Sequence, residues 1–258
     1  MQLFYREYGQ GRPLIVLHGL FGVSDNWVGI AKRIAALGFH VFVLDQRNHG
    51  QSPHSETFNY AALSDDLKLF ALEHGLKDPM LLGHSMGGKV AMNFALENPS
   101  MVSKLIIVDI ALRSYALSQN NKDILDVMRT VDLSQITSRD EVMAILEAHI
   151  PNHKVRLLAL KNLQRVGKNQ FQWRVDIDNI YKNLQDLSSD LALDRTFEKE
   201  VLFIKGSKSD YINDADTSDI NQVFTSNTIC VIKDASHWVQ ADQPELFLEC
   251  VGKFITTE

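Results

Sequence analysis

Cysteine is nearly absent from this chain, with only Cys230 and Cys250 among 258 residues. Two thiols cannot hold together a disulfide scaffold, so the fold must rest on packing. Both lie in apolar periodic segments, TICVI and FLECVGKF, where a free cysteine acts as a small core side chain. An excess of positive charge is missing as well. Lysine and arginine number 26 against 32 aspartates and glutamates, a net charge of −6, which leaves no field to neutralise a nucleic-acid backbone. No apolar run approaches the roughly 18 residues of a membrane span. The start, MQLFYREYGQG, lacks the apolar core and cleavage site of a leader peptide. These absences predict a cytoplasmic protein without nucleic-acid partners or a membrane span. Repeats, low-complexity tracts and linkers are also lacking.

What is present is a sizeable core: 45% of the residues are apolar and 22% charged. At roughly 100 to 200 residues per domain, the length suits one large domain or one domain with an inserted lobe. Short apolar runs alternate with helical patterns in the first half. LIVLHG (14–19), VFVLD (ending at Asp45), MLLG (80–83) and LIIVD (ending at Asp109) read as buried strands. Between them, Trp27, Ile30, Ala31, Ile34 and Leu37, then Leu63, Leu67, Phe70 and Ala71, then Val90, Ala91, Phe94 and Ala95 fall at helical spacing. Near-continuous Val/Ile/Leu strands separated by helices predict an α/β fold with a mostly parallel central sheet covered on both faces. From 112 to 196 only helical patterns are visible, which predicts an all-helical cap inserted into a core domain of residues 1–111 and 197–258. VLFIKG (201–206) and TICVI then resume the strands, and Asp242 with Glu245 has the spacing of a capping box for the last helix.

One motif carries chemistry. Gly83-His84-Ser85-Met86-Gly87 fits G-x-S-x-G and stands between an apolar strand and a helix, where a nucleophile elbow must be. Its glycines permit a turn too tight for side chains two residues either side of the serine, and the turn pushes the hydroxyl into the open.

With this motif and three others the sequence resembles the α/β-hydrolase superfamily over essentially its whole length. His18-Gly19-Leu20-Phe21-Gly22 resembles the family's oxyanion loop, and Asp45-Gln46-Arg47-Asn48-His49-Gly50-Gln51-Ser52 its D-x-R-x-x-G-x-S loop. Ala235-Ser236-His237-Trp238 resembles its terminal histidine motif, with Ser236 where the family has glycine. The small bacterial carboxylesterases and acyl-CoA thioesterases are most similar. The resemblance implies a serine hydrolase acting on a small-molecule ester or thioester without metal or cofactor. It also separates the chain from dehalogenases and epoxide hydrolases of this fold, which carry aspartate at the elbow.

Ser85 needs a base, and His237, following the last predicted strand, is the best of nine histidines. His149 and His153 are four apart like a metal pair, but Pro151 lies between them and no H-E-x-x-H pattern is present. For the acid that fixes the imidazole, the family's G-x-x-D position holds Ser209, with Asp210 one residue late. Asp109, at the end of LIIVD, is the first choice by strand-end position and by resemblance, and Asp210 is the runner-up. Resemblance gives the oxyanion donors as the backbone N–H groups of Leu20 and Met86, and Phe21 and Trp238 as pocket walls. In the cap, Lys154, Lys161, Arg165 and Lys168 repeat at intervals of seven, four and three. A helix would align them as a basic stripe, a solvated face or a contact for the phosphates of coenzyme A through Lys161 and Arg165.

Overall fold

The computed structural model describes residues 1–115, 119–168 and 170–257, with residues 119–121 described by their backbone alone. Seven strands form one sheet: β1 (Tyr5–Tyr8), β2 (Arg12–Leu17), β3 (Phe39–Leu44), β4 (Met80–His84), β5 (Leu105–Val108), β8 (Val201–Gly206) and β9 (Asn227–Ile232). Their order is β1-β3-β2-β4-β5-β8-β9. Only the edge pair β1–β3 is antiparallel.

The strand residues divide by parity between two cores, as a pleat of period two requires. Ile15, Leu17, Phe42, Leu44, Leu81, Leu105 and Ile107 face α2 (Tyr60–Glu73) and α3 (Met86–Glu97) through Leu67, Phe70, Val90 and Phe94. Leu14, Val16, Val41, Val43, Leu82, Ile106 and Val108 face α1 (Val28–Ala35) and α11 (Pro244–Thr256) through Ile30, Ile34, Phe247 and Val251. Leu82 is fully buried, and truncating it to alanine would cost about 2–5 kcal/mol through lost transfer energy and a cavity.

Between β5 and β8 the chain runs through α4 (Gln119–Thr130), α5 (Arg139–His149), α6 (His153–Lys161), β6 (Leu163–Gly167), β7 (Gln170–Trp173), α7 (Ile177–Lys182) and α8 (Leu184–Ser188). The expected all-helical insertion therefore contains a β-hairpin, with Leu163 opposite Trp173 and Arg165 opposite Phe171. Asn162 ends α6: its side-chain amide donates to the Phe21 carbonyl at 2.9 Å and to the Leu158 carbonyl at 3.1 Å. Beyond it the chain runs extended as two paired strands, with Leu163 and Phe171 buried. The insertion leaves and rejoins the sheet at one place, where the Leu191 N–H donates to the Leu112 carbonyl at 2.9 Å. There Lys89 of α3, only 1% exposed, donates to the carbonyls of Leu112 (3.3 Å), Arg113 (2.7 Å) and Ser189 (2.5 Å).

Two further expectations are corrected at the C-terminal end, which holds α9 (Asp216–Val223), α10 (Val239–Asp242) and α11. Asp242 does not cap α11, which starts on Pro244 without a side-chain cap, since the ring fixes φ for the first helical turn. The cysteines are not core side chains: Cys230 of β9 and Cys250 of α11 are both half-buried and lie beside each other at the edge of the second core. No described helix is long and apolar enough to cross a membrane.

Candidate active site

β4 ends at His84 and α3 begins at Met86, so Ser85 alone makes the turn, at φ 53° and ψ −118°. Left-handed φ is costly for a residue with a Cβ, and bonds on both sides hold it. The Ser85 N–H donates to the Val108 carbonyl at 3.0 Å, and its carbonyl accepts from Gly88 N at 2.9 Å. A Cβ on Gly83 would stand 2.2 Å from the Gly87 carbonyl oxygen, and one on Gly87 2.4 Å from that of Leu17. Both glycines are thus required by the close approach of β4, α3 and β2.

His237 sits in the loop between β9 and α10 and points Nδ1 at Asp109 Oδ2, 2.8 Å away. Asp109 follows β5, has φ 52° and is 0% exposed. Its carboxylate also accepts from Gly206 N at 3.0 Å and from the Ser209 hydroxyl. Three donors thus hold a buried carboxylate against the imidazole, which satisfies its lone pairs and fixes the ring. Asp210 is exposed, and its backbone carbonyl accepts from Arg113 at 3.2 Å. The structure therefore joins Asp109, not Asp210, to His237. Ser209, at the family's usual acid position, joins the same cluster as a donor.

Nδ1 is thus committed to Asp109, and His237 and Ser85 both line a cavity of ≈ 180 Å³ with Leu20, Tyr211 and Trp238. His84 donates from Nε2 to the His237 carbonyl at 2.8 Å, which fastens the histidine loop to the elbow. Burial pushes His84 down to about 3 and His18 down to about 4, so both are neutral and structural. His18 donates from Nδ1 to the Gly19 carbonyl at 2.9 Å and accepts at Nε2 from Gln46 N at 3.0 Å. These bonds brace the loop carrying Leu20. The N–H groups of Leu20 and Met86 make no hydrogen bond among the described residues, as expected of Met86 in the first helical turn.

Comparison with known proteins gives the family. The family model of the alpha/beta hydrolase fold matches residues 12–244. The chain belongs to the α/β-hydrolase family. A curated relative, the sn-1-specific diacylglycerol lipase ABHD11 of Danio rerio, is 35% identical over 252 residues, covering 96% of this chain and 79% of its own. A putative esterase/lipase of Haemophilus influenzae is 31% identical over 243 residues, 94% of this chain and 82% of that one. Among solved structures, a marine microorganism esterase superposes with a TM-score of 0.94 at 38% identity, covering 98% of this chain and 99% of its own.

Some of the expected residues of this α/β-hydrolase lie where the sequence put them and others do not. Phe21 is not a pocket wall: it has φ 61° and is 1% exposed in the main core. Its N–H donates to His49 Nε2 at 3.2 Å, and Leu20 lines the cavity instead. Trp238 does line it. The basic stripe does not form, because α6 stops at Lys161. Arg165 stands on the hairpin with its guanidinium 5.0 Å from the centre of the Phe171 ring, whereas Lys161 and Lys154 line a second cleft beside the first. The D-x-R-x-x-G-x-S loop is structural: Asp45 accepts from Ser24 N (2.5 Å) and Gln51 N (2.9 Å), and Arg47 pairs with Asp66 at 2.6 Å. Ser236 fits without glycine, its N–H and hydroxyl both donating to Asp242 Oδ2, at 2.9 and 2.5 Å.

Proposed function

We propose that the protein is a serine hydrolase that cleaves carboxylic esters through an acyl-enzyme on Ser85, with residues 112–196 as its lid. The observation that carries this reading is the Asp109–His237 hydrogen bond beside a serine held in a strained elbow. In this scheme Ser85 Oγ attacks the ester carbonyl carbon while His237 Nε2 takes its proton. Asp109 keeps the second proton on Nδ1 and stabilises the imidazolium. The carbonyl oxygen, gaining charge, receives the N–H groups of Leu20 and Met86. Collapse expels the alcohol, which takes the proton from His237, and water repeats the sequence to release the acid. No step uses a metal or cofactor. The esterase and lipase names among the relatives support ester substrates. Acyl-CoA is the weaker choice, since the stripe expected to meet its phosphates is divided between α6 and the hairpin.

Fluorophosphonate labelling and p-nitrophenyl ester hydrolysis test the proposal. The wild type should label and turn over without added metal, and Ser85→Ala should do neither while unfolding at an unchanged urea midpoint. Turnover retained by a folded Ser85→Ala protein would remove the serine mechanism.

A further inference from the structure

Beside the Ser85 cavity lies a second cleft of ≈ 310 Å³, at the lower end of the roughly 300–1,000 Å³ range of ligand pockets. Gly19, Leu20, His84, Leu158 and Trp238 line both spaces. A molecule held at Ser85 can therefore extend one arm across Leu20 and Trp238 into the cleft. Leu157, Leu158 and Trp27 give it apolar walls.

Its charges do not cancel. Lys154 is paired with Asp242, whose other oxygen serves Ser236. The ammonium of Lys161 has no partner among the described residues. His18 and His84, the other titratable groups on the wall, stay neutral because burial lowers them to about 4 and about 3. The lining thus carries two cations and one anion, an excess of one positive charge in a chain of net charge −6. A second polar group there is unsatisfied: Gln240 Oε1 is buried without a partner among the described residues. A half-turn of its carboxamide would present N–H at the same point.

We propose that this cleft receives a substrate arm that is apolar along its length and ends in a carboxylate, so that the preferred esters carry one negative charge remote from the scissile bond. The inference rests on Ser85 being the nucleophile. A carboxylate matches the single uncompensated cation, whereas a phosphate monoester brings close to two charges at neutral pH.

Two matched pairs of esters test it. One pair is mono-p-nitrophenyl adipate and p-nitrophenyl hexanoate, with the carboxylate on the acyl arm. The other is the acetate ester of 6-hydroxyhexanoate and hexyl acetate, with it on the alcohol arm. In at least one pair kcat/KM should favour the acid by about fivefold, the upper end for a charge pair that keeps some contact with water, and the preference should shrink with added salt. Lys161→Gln should bring the ratio to about one, Lys161→Arg should restore it, and Arg165→Gln, outside the cleft, should leave it as in the wild type. Equal or better hydrolysis of the neutral ester in both pairs, or a preference that survives Lys161→Gln, would overturn the proposal. Fluorophosphonate labelling in parallel separates the two readings. A protein that labels but shows no preference sinks the cleft alone, and one that neither labels nor hydrolyses any of the four esters sinks the serine mechanism with it.

Discussion

The phenol ring of Tyr211 lies face to face with the imidazole of His237, with centroids 3.7 Å apart and planes 19° from parallel. Tyr115 stacks on the Tyr211 ring in turn, at 5.3 Å and 20°. Its hydroxyl accepts from Ala111 N at 2.8 Å and donates to the Tyr211 carbonyl at 2.5 Å. Arg113 covers Tyr115 at 4.1 Å and pairs with Asp216 at 2.9 Å. In the proposed mechanism Tyr211 is a positioning residue, and an imidazolium forming on His237 would meet the electron-rich face of its ring. Tyr211→Leu should lower kcat about fivefold, the rate equivalent of roughly 1 kcal/mol, with little change in KM for a small aryl ester. Tyr211→Phe should keep the rate. Equal losses in both variants would assign the effect to the hydroxyl instead.

Asp109→Asn should lower kcat on aryl esters by about 10³- to 10⁴-fold, because an amide at that point favours the wrong imidazole tautomer. Asp210→Asn, altering an exposed side chain, should stay within about twofold. Steady-state kinetics on the two purified variants decides the order, and a larger loss at Asp210 would reverse the assignment drawn from the hydrogen bonds.

Lys89→Met should destabilise the protein by about 2 kcal/mol at pH 7.5 in urea titrations, the scale of buried carbonyls losing their donor. Burial lowers the Lys89 ammonium from 10.5 to about 8. Below pH 8 the folded and unfolded chains both hold that proton. Between pH 8 and 10.5 the unfolded chain holds it and the folded chain does not, so this residue's contribution to stability rises with pH. The stability gap between wild type and Lys89→Met should widen from pH 7.5 to 9.5, and a gap that narrows would contradict the lowered value.

Ser236→Gly, which restores the residue usual in the family, should cost about 1 kcal/mol rather than improve the turn. It removes the hydroxyl bond to Asp242 and adds backbone freedom to the unfolded chain. Urea midpoints of the two proteins provide the check.

Six of the seven strands in the main sheet were legible because they are apolar runs bounded by turns, buried on both faces in the sheet interior and more exposed only in the edge strand β9. β1 was not, since Tyr-Arg-Glu-Tyr on an edge offers no such run. The hairpin β6–β7 was hidden for a related reason. Its strands hold five and four residues, too few for alternation to stand out, and basic residues spaced as on a helix run through the same stretch. Ser85 was legible because the chemistry demands a local motif. The partnership of Asp109 with His237 spans 128 residues, so sequence position could nominate it but not separate it from Asp210. Phe21 and Asp242 were misread because neighbours distant in sequence, His49 for one and Lys154 for the other, claim their polar groups.

Phe21, Ser85 and Asp109 each follow one of three adjacent strands, β2, β4 and β5, and each has a φ between 52° and 61° without being glycine. Each such residue weighs against folding by about 1–3 kcal/mol. Selection for thermal endurance alone would keep Phe21, which fills the core, and Asp109, whose carboxylate serves three buried donors. Ser85, whose hydroxyl bonds to nothing among the described residues, is the position it would move toward glycine. A laboratory lineage evolved only for heat resistance is thus expected to shed the proposed nucleophile while sparing the residues around it, and to arrive at a sturdier sheet that no longer turns over substrate.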